Sequence, residues 1–404
     1  MSQTGRPTLI ARLRQAVPAV VIMFVLAHCA HHLVTALPIP LLPYIRDEFT
    51  LDYTRAALVV SAFSVPYGIA QLPSGWLADR FGPRRMLCIG ISGVAFAGLL
   101  VGLSTQYVLL LVALGLMGAL GGGYHPSAPA LISAAVEPER RGRSLGLHMI
   151  GGSVAYFVAP LVAAGIAVAL GWRSAFIILA IPAIIFGFVF YRVLGRRERA
   201  AAERVAEQDS QPVDEAPVNW PRLVTFIFLS CSTAAIVLSV FSFIPLYLVD
   251  KYHYAEPSAA AVVSLFYSTG LWAAVAGGYA ADRLGNVRVV TILAVLSGPA
   301  LVLLGFGGSD VLVLVLLLCM GVALYARAPA SESFILSHSP SRHRSTVLGF
   351  YFFGWMEGSG VLAPVVGYLI DRFGFSTAYA VSGVTMIVIA LVCAGLLLRW
   401  RHAR

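Results

Sequence analysis

Residues 75–85 read Gly75-Trp76-Leu77-Ala78-Asp79-Arg80-Phe81-Gly82-Pro83-Arg84-Arg85 and form a short polar turn between two long apolar segments. Gly82 can adopt the positive φ that a tight reversal needs, and Pro83 suits the first turn of the next helix. The pattern returns 203 residues later as Gly278-Tyr279-Ala280-Ala281-Asp282-Arg283-Leu284-Gly285-Asn286-Val287-Arg288. The chain therefore contains two copies of one unit, in which a short polar turn joins two apolar helices.

The segments that flank these turns are long and nearly free of charge. Hydrophobic residues make up 59% of the 404 residues and charged residues 12%, whereas proteins on average contain about 25% charged residues. Residues 15–45, 86–136 and 144–172 contain no Asp, Glu, Lys or Arg. About 20 apolar residues cross a bilayer as a helix, which satisfies its own backbone hydrogen bonds there. The composition therefore predicts an all-α membrane protein.

The apolar windows predict twelve transmembrane helices, α1 to α12, in two six-helix bundles. The predicted ranges are 17–43, 54–77, 86–103, 107–134, 144–170, 174–192, 221–249, 258–281, 289–307, 311–336, 345–369 and 376–398. A polar segment separates the sixth helix from the seventh. The predicted domains are an N-terminal bundle at 1–192, a cytoplasmic linker at 193–219 and a C-terminal bundle at 220–404.

The charged residues and cysteines indicate orientation and exclude two classes of protein. Most arginines fall in the tails and even-numbered loops, which places both termini in the cytoplasm. The net charge of +9 does not indicate a nucleic-acid partner, because the basic residues lie at helix ends and not on one face. The five cysteines lie in apolar stretches, which argues against a disulfide framework. The first charge-free run continues to Ile45, which favours an uncleaved span over a secretory signal.

Further repeats support a duplicated unit: Gly146 matches Gly349 and Gly151 matches Gly354, each 203 residues apart. With its two polar turns, the chain resembles the major facilitator superfamily of secondary transporters, whose signature loop joins the second and third helices. The resemblance implies two pseudo-symmetric six-helix bundles and transport by alternating access. It also implies that the loop gates the cytoplasmic side. The implied gating residues are Gly75, Asp79, Arg80, Gly82, Arg84 and Arg85, with Asp282 and Arg283 in the second copy.

The first bundle offers histidines as candidates for a substrate and proton pathway. His28, His31 and His32 lie within about 6 Å of helical rise on α1, and histidine titrates near physiological pH. Each of them could instead only hydrogen-bond a neighbouring helix. His28 and His32, four residues apart, could share a metal ion, but no helper carboxylate lies nearby in the sequence, so we expect no metal site.

On α4, Gly121-Gly122-Gly123-Tyr124-His125-Pro126 predicts a kink with Tyr124 and His125 beside the cavity. A purely structural kink is the alternative. His148, near the start of α5, is assigned a structural role.

The second bundle offers one arginine and two carboxylates near the middle of the membrane. Arg327 on α10 corresponds in the repeat to the His125 region, and Tyr325 corresponds to Tyr124. Arginine stays charged and binds carboxylates or phosphates through its planar fork. We expect Arg327 to pair with Glu332 or Glu357, to bind an anionic group of the substrate, or to alternate between them.

Two features depart from the drug–proton antiporters of the superfamily. Leu114 stands where those proteins have an arginine on α4, and Ala159-Pro160 with Ala163-Ala164 replaces their glycine-rich motif on α5. The Tyr124-His125-Pro126 turn, with histidine on α1, instead resembles the branch that includes fosmidomycin-resistance exporters.

The sequence thus predicts a monomeric secondary transporter of the bacterial inner membrane that moves a small, anionic organic solute and is coupled to protons. A proton-driven drug or antibiotic efflux antiporter is one alternative. A transporter-like sensor or a membrane enzyme is another, although no catalytic or cofactor motif occurs and the ionisable groups lie near mid-depth.

The signature loop yields a first prediction. Asp79→Asn should shift the protein toward the conformation open to the cytoplasm, because the resemblance implies that Asp79 contacts the α11 region when that side is closed. The labelling rate of a cysteine introduced into the cytoplasmic cavity measures the shift and should rise. Equal labelling of variant and parent would count against a latch at Asp79.

Overall fold

The computed structural model describes residues 19–137, 141–202, 218–340 and 344–400. Within these ranges, the side chains at 75, 79, 141–143, 197–202 and 344–346 lie outside the description. The predicted gating residues Gly75 and Asp79 are therefore described by their backbone alone. The predicted linker lies partly in the undescribed range 203–217.

The described chain forms a succession of helices that follows the predicted order. In the first half, the helices are α1 (Ala19–Thr35, continued by Leu42–Phe49), α2 (Tyr53–Phe81), α3 (Pro83–Cys88, Ile89–Gly93 and Val94–Leu103), α4 (Tyr107–Gly121 and Tyr124–Ala135), α5 (Arg141–Leu170) and α6 (Trp172–Ala202). In the second half, they are α7 (Trp220–Phe241 and Ile244–Tyr252), α8 (Glu256–Ser268, Thr269–Leu271 and Ala273–Leu284), α9 (Asn286–Phe306), α10 (Asp310–His338), and α11 and α12, which share Arg344–Arg399.

Nine helices in the described ranges are long and apolar enough to cross a membrane, or ten when the two bent pieces of α8 count as one span. The longest of them, Val347–Arg399, is divided by the non-helical backbone of Gly374, at φ 77°. Its 53 residues also far exceed the roughly 20 that a bilayer needs. With this division and the shorter apolar helix Ala19–Thr35, the spans match the twelve predicted segments. The prediction of an all-helical membrane fold is confirmed.

Several helices are broken where the sequence predicted continuity. The prediction of α1 as one helix over 17–43 is wrong, because the helix stops at Thr35 and resumes at Leu42. Pro38 and Pro40 lie in this break, and proline supplies no backbone donor to a helix. α7 breaks in the corresponding place, before Ile244, and α6 continues into the predicted linker as far as Ala202.

The signature turns have the predicted backbone. Gly82 and Gly285 end α2 and α8 with φ of 88° and 87°, a region that side chains rarely adopt. The predicted irregularity in α4 is also present, as a break at Gly122 and Gly123 just before Tyr124. Close helix packing accompanies it, since a Cβ at Gly118 would overlap the Phe63 carbonyl of α2.

The two halves meet along α2 and α11. Hydrogen bonds between the two helices occur along the length of α2. The Ser61 hydroxyl donates to the Gly360 carbonyl at 2.7 Å, and the Gln71 amide contacts the Met356 sulfur at 3.0 Å. α5 and α8 also pack across the boundary, where the Tyr156 and Tyr267 rings lie 4.9 Å apart. These contacts form the interface that must rearrange if the halves move.

The densest polar contacts between the halves lie at the distal end, which carries the α1–α2 and α7–α8 connections. Asp250 of α7 accepts hydrogen bonds from the guanidinium of Arg46 and, at 2.6 Å, from the hydroxyl of Tyr53. Asp371 of α11 accepts from the backbone amides of Tyr53 and Thr54, both at 2.9 Å. A carboxylate of the second half thus binds the free amides at the start of α2, where the helix dipole favours negative charge. The structure is therefore sealed at this end.

The distal contacts yield a second prediction. Arg46→Ala should shift the protein away from the distally sealed conformation by up to roughly 1 kcal/mol, a factor of about five, because the half-buried pair with Asp250 is lost. Distances between spin labels on the α1–α2 and α7–α8 connections report the shift.

Arg55→Ala is the matched control, because Arg55 pairs with Asp52 at 3.9 Å within the first half and both side chains are exposed. An equal distance distribution in Arg46→Ala and the parent would show that this pair does not hold the seal.

Candidate functional site

Five histidines come together inside the first bundle. We call this group the histidine cluster: His28, His31 and His32 of α1, His125 of α4 and His148 of α5. The three predicted α1 residues are at most 6% exposed, and His125 is half-buried. Tyr124 stacks on His31, with ring centroids 4.4 Å apart. The structure therefore brings together all the first-half residues assigned to the pathway.

The hydrogen bonds distinguish the α1 histidines from one another. His31 donates from Nδ1 to the Gly90 carbonyl at 2.7 Å and accepts at Nε2 from the Tyr67 hydroxyl at 3.0 Å. Both of its ring nitrogens are therefore used. His28 donates from Nδ1 to the His148 carbonyl at 2.9 Å, while its Nε2 is buried without a hydrogen-bond partner among the described residues. His32 contacts the Thr35 hydroxyl through Nδ1 at 3.0 Å.

His148 belongs to the cluster, although we expected it to have only a structural role. Its ring stacks on His28 with centroids 4.2 Å apart, and its Nδ1 donates to the Phe24 carbonyl at 3.1 Å. Position along the helix alone did not reveal this contact, because it depends on α1 packing against α5.

A second polar pocket lies in the other half around Arg327. We call it the arginine pocket: Arg327 of α10, Ser230 of α7, Tyr351 of α11 and Ser331 of α10. The Arg327 side chain is 3% exposed. Its Nη1 donates to the Ser230 hydroxyl and, at 2.8 Å, to the Tyr351 hydroxyl, while Nε has no hydrogen-bond partner among the described residues. Ser331 bonds Ser230 at 2.7 Å and so supports the pocket.

In this conformation, Arg327 forms no direct ion pair with either carboxylate proposed as its partner, although Glu332 lies close enough to interact with it electrostatically. The ion pairs of the described residues do not join it to Glu332 or Glu357. Glu357 instead points at α2 of the other half, where its Oε1 would overlap a Cβ at Gly68. That oxygen is buried without a hydrogen-bond partner in the described chain. Glu332 is half-buried on α10.

The two pockets occupy equivalent positions in the repeat. His28 corresponds to Cys231 and His148 to Tyr351, each 203 residues apart. The His28 ring bonds the His148 carbonyl, and the Cys231 thiol contacts the Tyr351 carbonyl at 3.4 Å. The repeat offset is therefore the signal that could have singled out Tyr351 and His148. Ser230, a small hydroxyl in an apolar helix, carried no such signal.

Aromatic rings connect the histidine cluster to the boundary between the halves. The His32 ring lies 4.6 Å from Tyr156, which lies 4.9 Å from Tyr267 of α8. Tyr325 of α10 packs near Gly270, two residues before the break in α8 at Trp272. Tyr325 and, through Tyr156, the histidine cluster thus lie beside the boundary between the halves.

The described gating residues contact aromatic rings within their own half. Arg80 lies over the Trp76 ring at 5.4 Å, Arg84 over the Tyr191 ring at 4.4 Å, and Arg283 over the Tyr279 ring at 4.3 Å. Arg85 and Asp282 are exposed. Their assignment to a gate stays a prediction.

The family model described as Major Facilitator Superfamily matches this chain over residues 24–271 and 244–404. The solved structure of a POT family transporter in complex with a thioalcohol-conjugated peptide superimposes with a TM-score of 0.80. It is 12% identical, and the match covers 94% of this chain and 96% of that one. This likeness concerns the fold.

Three curated relatives are similar in sequence. The probable sulfoacetate transporter SauU of Cupriavidus necator is 26% identical over 381 residues, 86% of each chain. The hexuronate transporter of Bacillus subtilis is 24% identical over 84% of this chain and 85% of the relative. The multidrug resistance protein MdtG of Dickeya zeae is 26% identical over 81% of both. None of these three relatives is named as a fosmidomycin-resistance exporter.

Proposed function

The chain belongs to the major facilitator superfamily of secondary transporters, and we propose that it moves a small organic anion across the bacterial inner membrane in exchange or symport with protons. The anion carries a carboxylate, phosphonate or sulfonate group. Since the superfamily consists of transporters, the membrane-enzyme alternative is not retained.

The observation that carries this proposal is the buried guanidinium of Arg327. A charged side chain without a counter-charge inside a membrane costs at least about 2.5 kcal/mol even on insertion scales. Neutral hydroxyls of Ser230 and Tyr351 are its hydrogen-bond partners among the described residues, and Nε remains without one. Glu332 is close enough to attract the guanidinium but forms no direct ion pair with it. An anionic group would supply a direct ion-pair partner and an acceptor for Nε, in the forked geometry that arginine prefers.

Two of the relatives support the same chemical class. SauU is named for sulfoacetate and the Bacillus subtilis protein for hexuronate, both organic anions. The similarity to MdtG keeps drug efflux as a second candidate. Leu114 and Ala159, which replace the arginine and glycine of the antiporter pattern, argue against it.

The proposed orientation follows the arginine distribution, with both termini in the cytoplasm. The distal end is then periplasmic, and the structure represents a conformation sealed toward the periplasm. Anion binding at Arg327 would replace weak neutral contacts by an ion pair. Binding can shift the conformational equilibrium only by the difference in affinity between the two conformations.

A third prediction tests the anion site. Arg327→Gln should abolish the rise in melting temperature and the proteoliposome uptake caused by the transported anion. Arg327→Lys should bind roughly ten to a hundred times more weakly, because it keeps the charge and loses the fork, equivalent to about 1.5–3 kcal/mol. The screen contains small carboxylates, phosphonates and sulfonates alongside cationic drugs.

Arg222→Gln is the matched control, because it removes one arginine of the same half outside the pocket. Adding Glu357→Ala to Arg327→Ala should restore neither stability nor transport, since the two groups form no ion pair. Restored transport in that double variant, or binding of cationic drugs alone, would overturn the anion proposal.

Glu357 is the group we propose for proton coupling. Its carboxyl lies between the halves, against Gly68, so its protonation is linked to the contact that must open during transport. Gly360 brings the next turn of α11 close to α2, where a Cβ would lie 2.6 Å from the Ser64 hydroxyl. A change of charge at Glu357 therefore acts directly on a tightly packed interface.

A fourth prediction follows. Glu357→Gln should abolish solute accumulation driven by a pH gradient and retain counterflow exchange, which needs no net proton movement. The variant with His28, His31 and His32 all replaced by glutamine is measured in parallel. If Glu357→Gln still accumulates solute and the histidine variant does not, proton coupling resides in the histidines.

A further inference from the structure

We propose that His28, His32 and His125 form a binding site for a divalent transition-metal ion of the zinc class. One candidate ligand atom from each of the three side chains lies within 4.8 Å of the others. The ring centroids form a nearly equal triangle, with separations of 4.7, 5.5 and 5.4 Å. The site belongs to the first half alone and does not depend on the charge of the transported solute.

The spacing is close to what one ion requires. Zinc binds imidazole nitrogen at about 2.0–2.1 Å, so two nitrogens on one ion lie at most about 4 Å apart. The candidate ligand atoms now lie within 4.8 Å of one another. Each ligand nitrogen would therefore need to move by less than about 1 Å to reach that distance. His125 follows the helix break at Gly122 and Gly123, and it is half-buried, so it is the member most free to adjust.

The hydrogen bonds prepare one ligand atom in advance. A metal-binding histidine commonly donates its other ring N–H to a backbone carbonyl, which fixes the tautomer and orients the ring. His28 has this arrangement: Nδ1 donates to the His148 carbonyl, and the lone pair of the buried Nε2 has no donor among the described residues. His32 is oriented by Thr35 in a similar way, at 3.0 Å.

His31 provides the internal contrast. It neighbours His32 in sequence and is buried in the same cluster, yet both of its nitrogens are hydrogen-bonded, to Gly90 and Tyr67. It cannot bind a metal without losing one of these bonds. The structure thus selects His28, His32 and His125 from a cluster of five.

The ligand type determines the class of ion. Three neutral imidazoles suit Zn²⁺, Co²⁺, Ni²⁺ or Cu²⁺, whereas Ca²⁺ and Mg²⁺ prefer oxygen ligands. Three protein ligands also leave a fourth tetrahedral position for water or another small ligand, as in zinc sites that are not closed. The sequence lacked a third ligand near His28 and His32, and the fold supplies it from α4.

Cobalt binding to the full-length protein tests the site. The protein is purified through a tag without histidine, stripped with a chelator and titrated with Co²⁺, whose visible spectrum reports tetrahedral coordination. We expect one Co²⁺ per chain, displaced by Zn²⁺ and not by Mg²⁺ or Ca²⁺. His28→Gln, His32→Gln and His125→Gln should each weaken binding at least about tenfold, whereas the matched control His31→Gln should bind like the parent.

The proposal would be overturned if the parent did not bind Co²⁺ stoichiometrically or if all three variants bound it like the parent. An equal loss of binding in His31→Gln would also overturn it. Melting temperature identifies variants that fail to fold. For these, X-ray absorption of the zinc-loaded parent replaces the variants, and it should show three imidazole nitrogens at about 2.0–2.1 Å; fewer would contradict the site. The anion-induced rise in melting temperature depends on Arg327 and not on the metal site. If the parent shows no such rise but binds Co²⁺ as expected, only the transport proposal fails.

Discussion

Polar groups inside a bilayer must find their partners within the protein, because no water reaches the hydrocarbon core to satisfy them. The interior of this protein shows how selectively that is done. His31 uses both ring nitrogens and Ser230 bonds both Ser331 and Arg327. Eleven side-chain atoms of the described residues are nevertheless buried without a hydrogen-bond partner. Three of them are His28 Nε2, Arg327 Nε and Glu357 Oε1. These three atoms are where we propose that a metal ion, an anion and a proton act.

The internal repeat gives the two halves the same framework with different chemistry. In the first half, the pocket built on α1, α4 and α5 is lined by imidazoles, and in the second half, the equivalent pocket on α7, α10 and α11 holds a guanidinium. The shared contacts at His28–His148 and Cys231–Tyr351 show that the backbone geometry is common to both. The difference in function then arises from side-chain type: imidazole can donate a lone pair, whereas guanidinium can only donate hydrogen bonds.

The distal seal connects these pockets to movement. Asp250 and Asp371 of the second half bind Arg46 and the start of α2, so the charges of one half hold the helix end of the other. Further along the same pair of helices lies Glu357 against Gly68. One helix interface, α2 with α11, therefore carries both the seal and the proposed coupling carboxyl. This arrangement gives a solute or a proton a physical route to influence which side is open.

The sequence by itself determined the membrane class, the helix order and the duplicated architecture, because these follow from charge-free windows of bilayer length and from a repeat of fixed offset. It also selected Arg327 and the α1 histidines as candidate site residues, since ionisable groups are rare in such windows. It did not predict the break in α1, where Pro38 and Pro40 divide an apolar run that otherwise suited one helix. Nor could it pair residues across helices: only the tertiary structure placed His125 beside His28 and His32, and gave Arg327 hydroxyl partners in place of Glu332 or Glu357. The physical reason is that a helix satisfies its backbone locally, so its existence is written in the local sequence, whereas side-chain contacts depend on helix rotation and on close approaches such as that at Gly118.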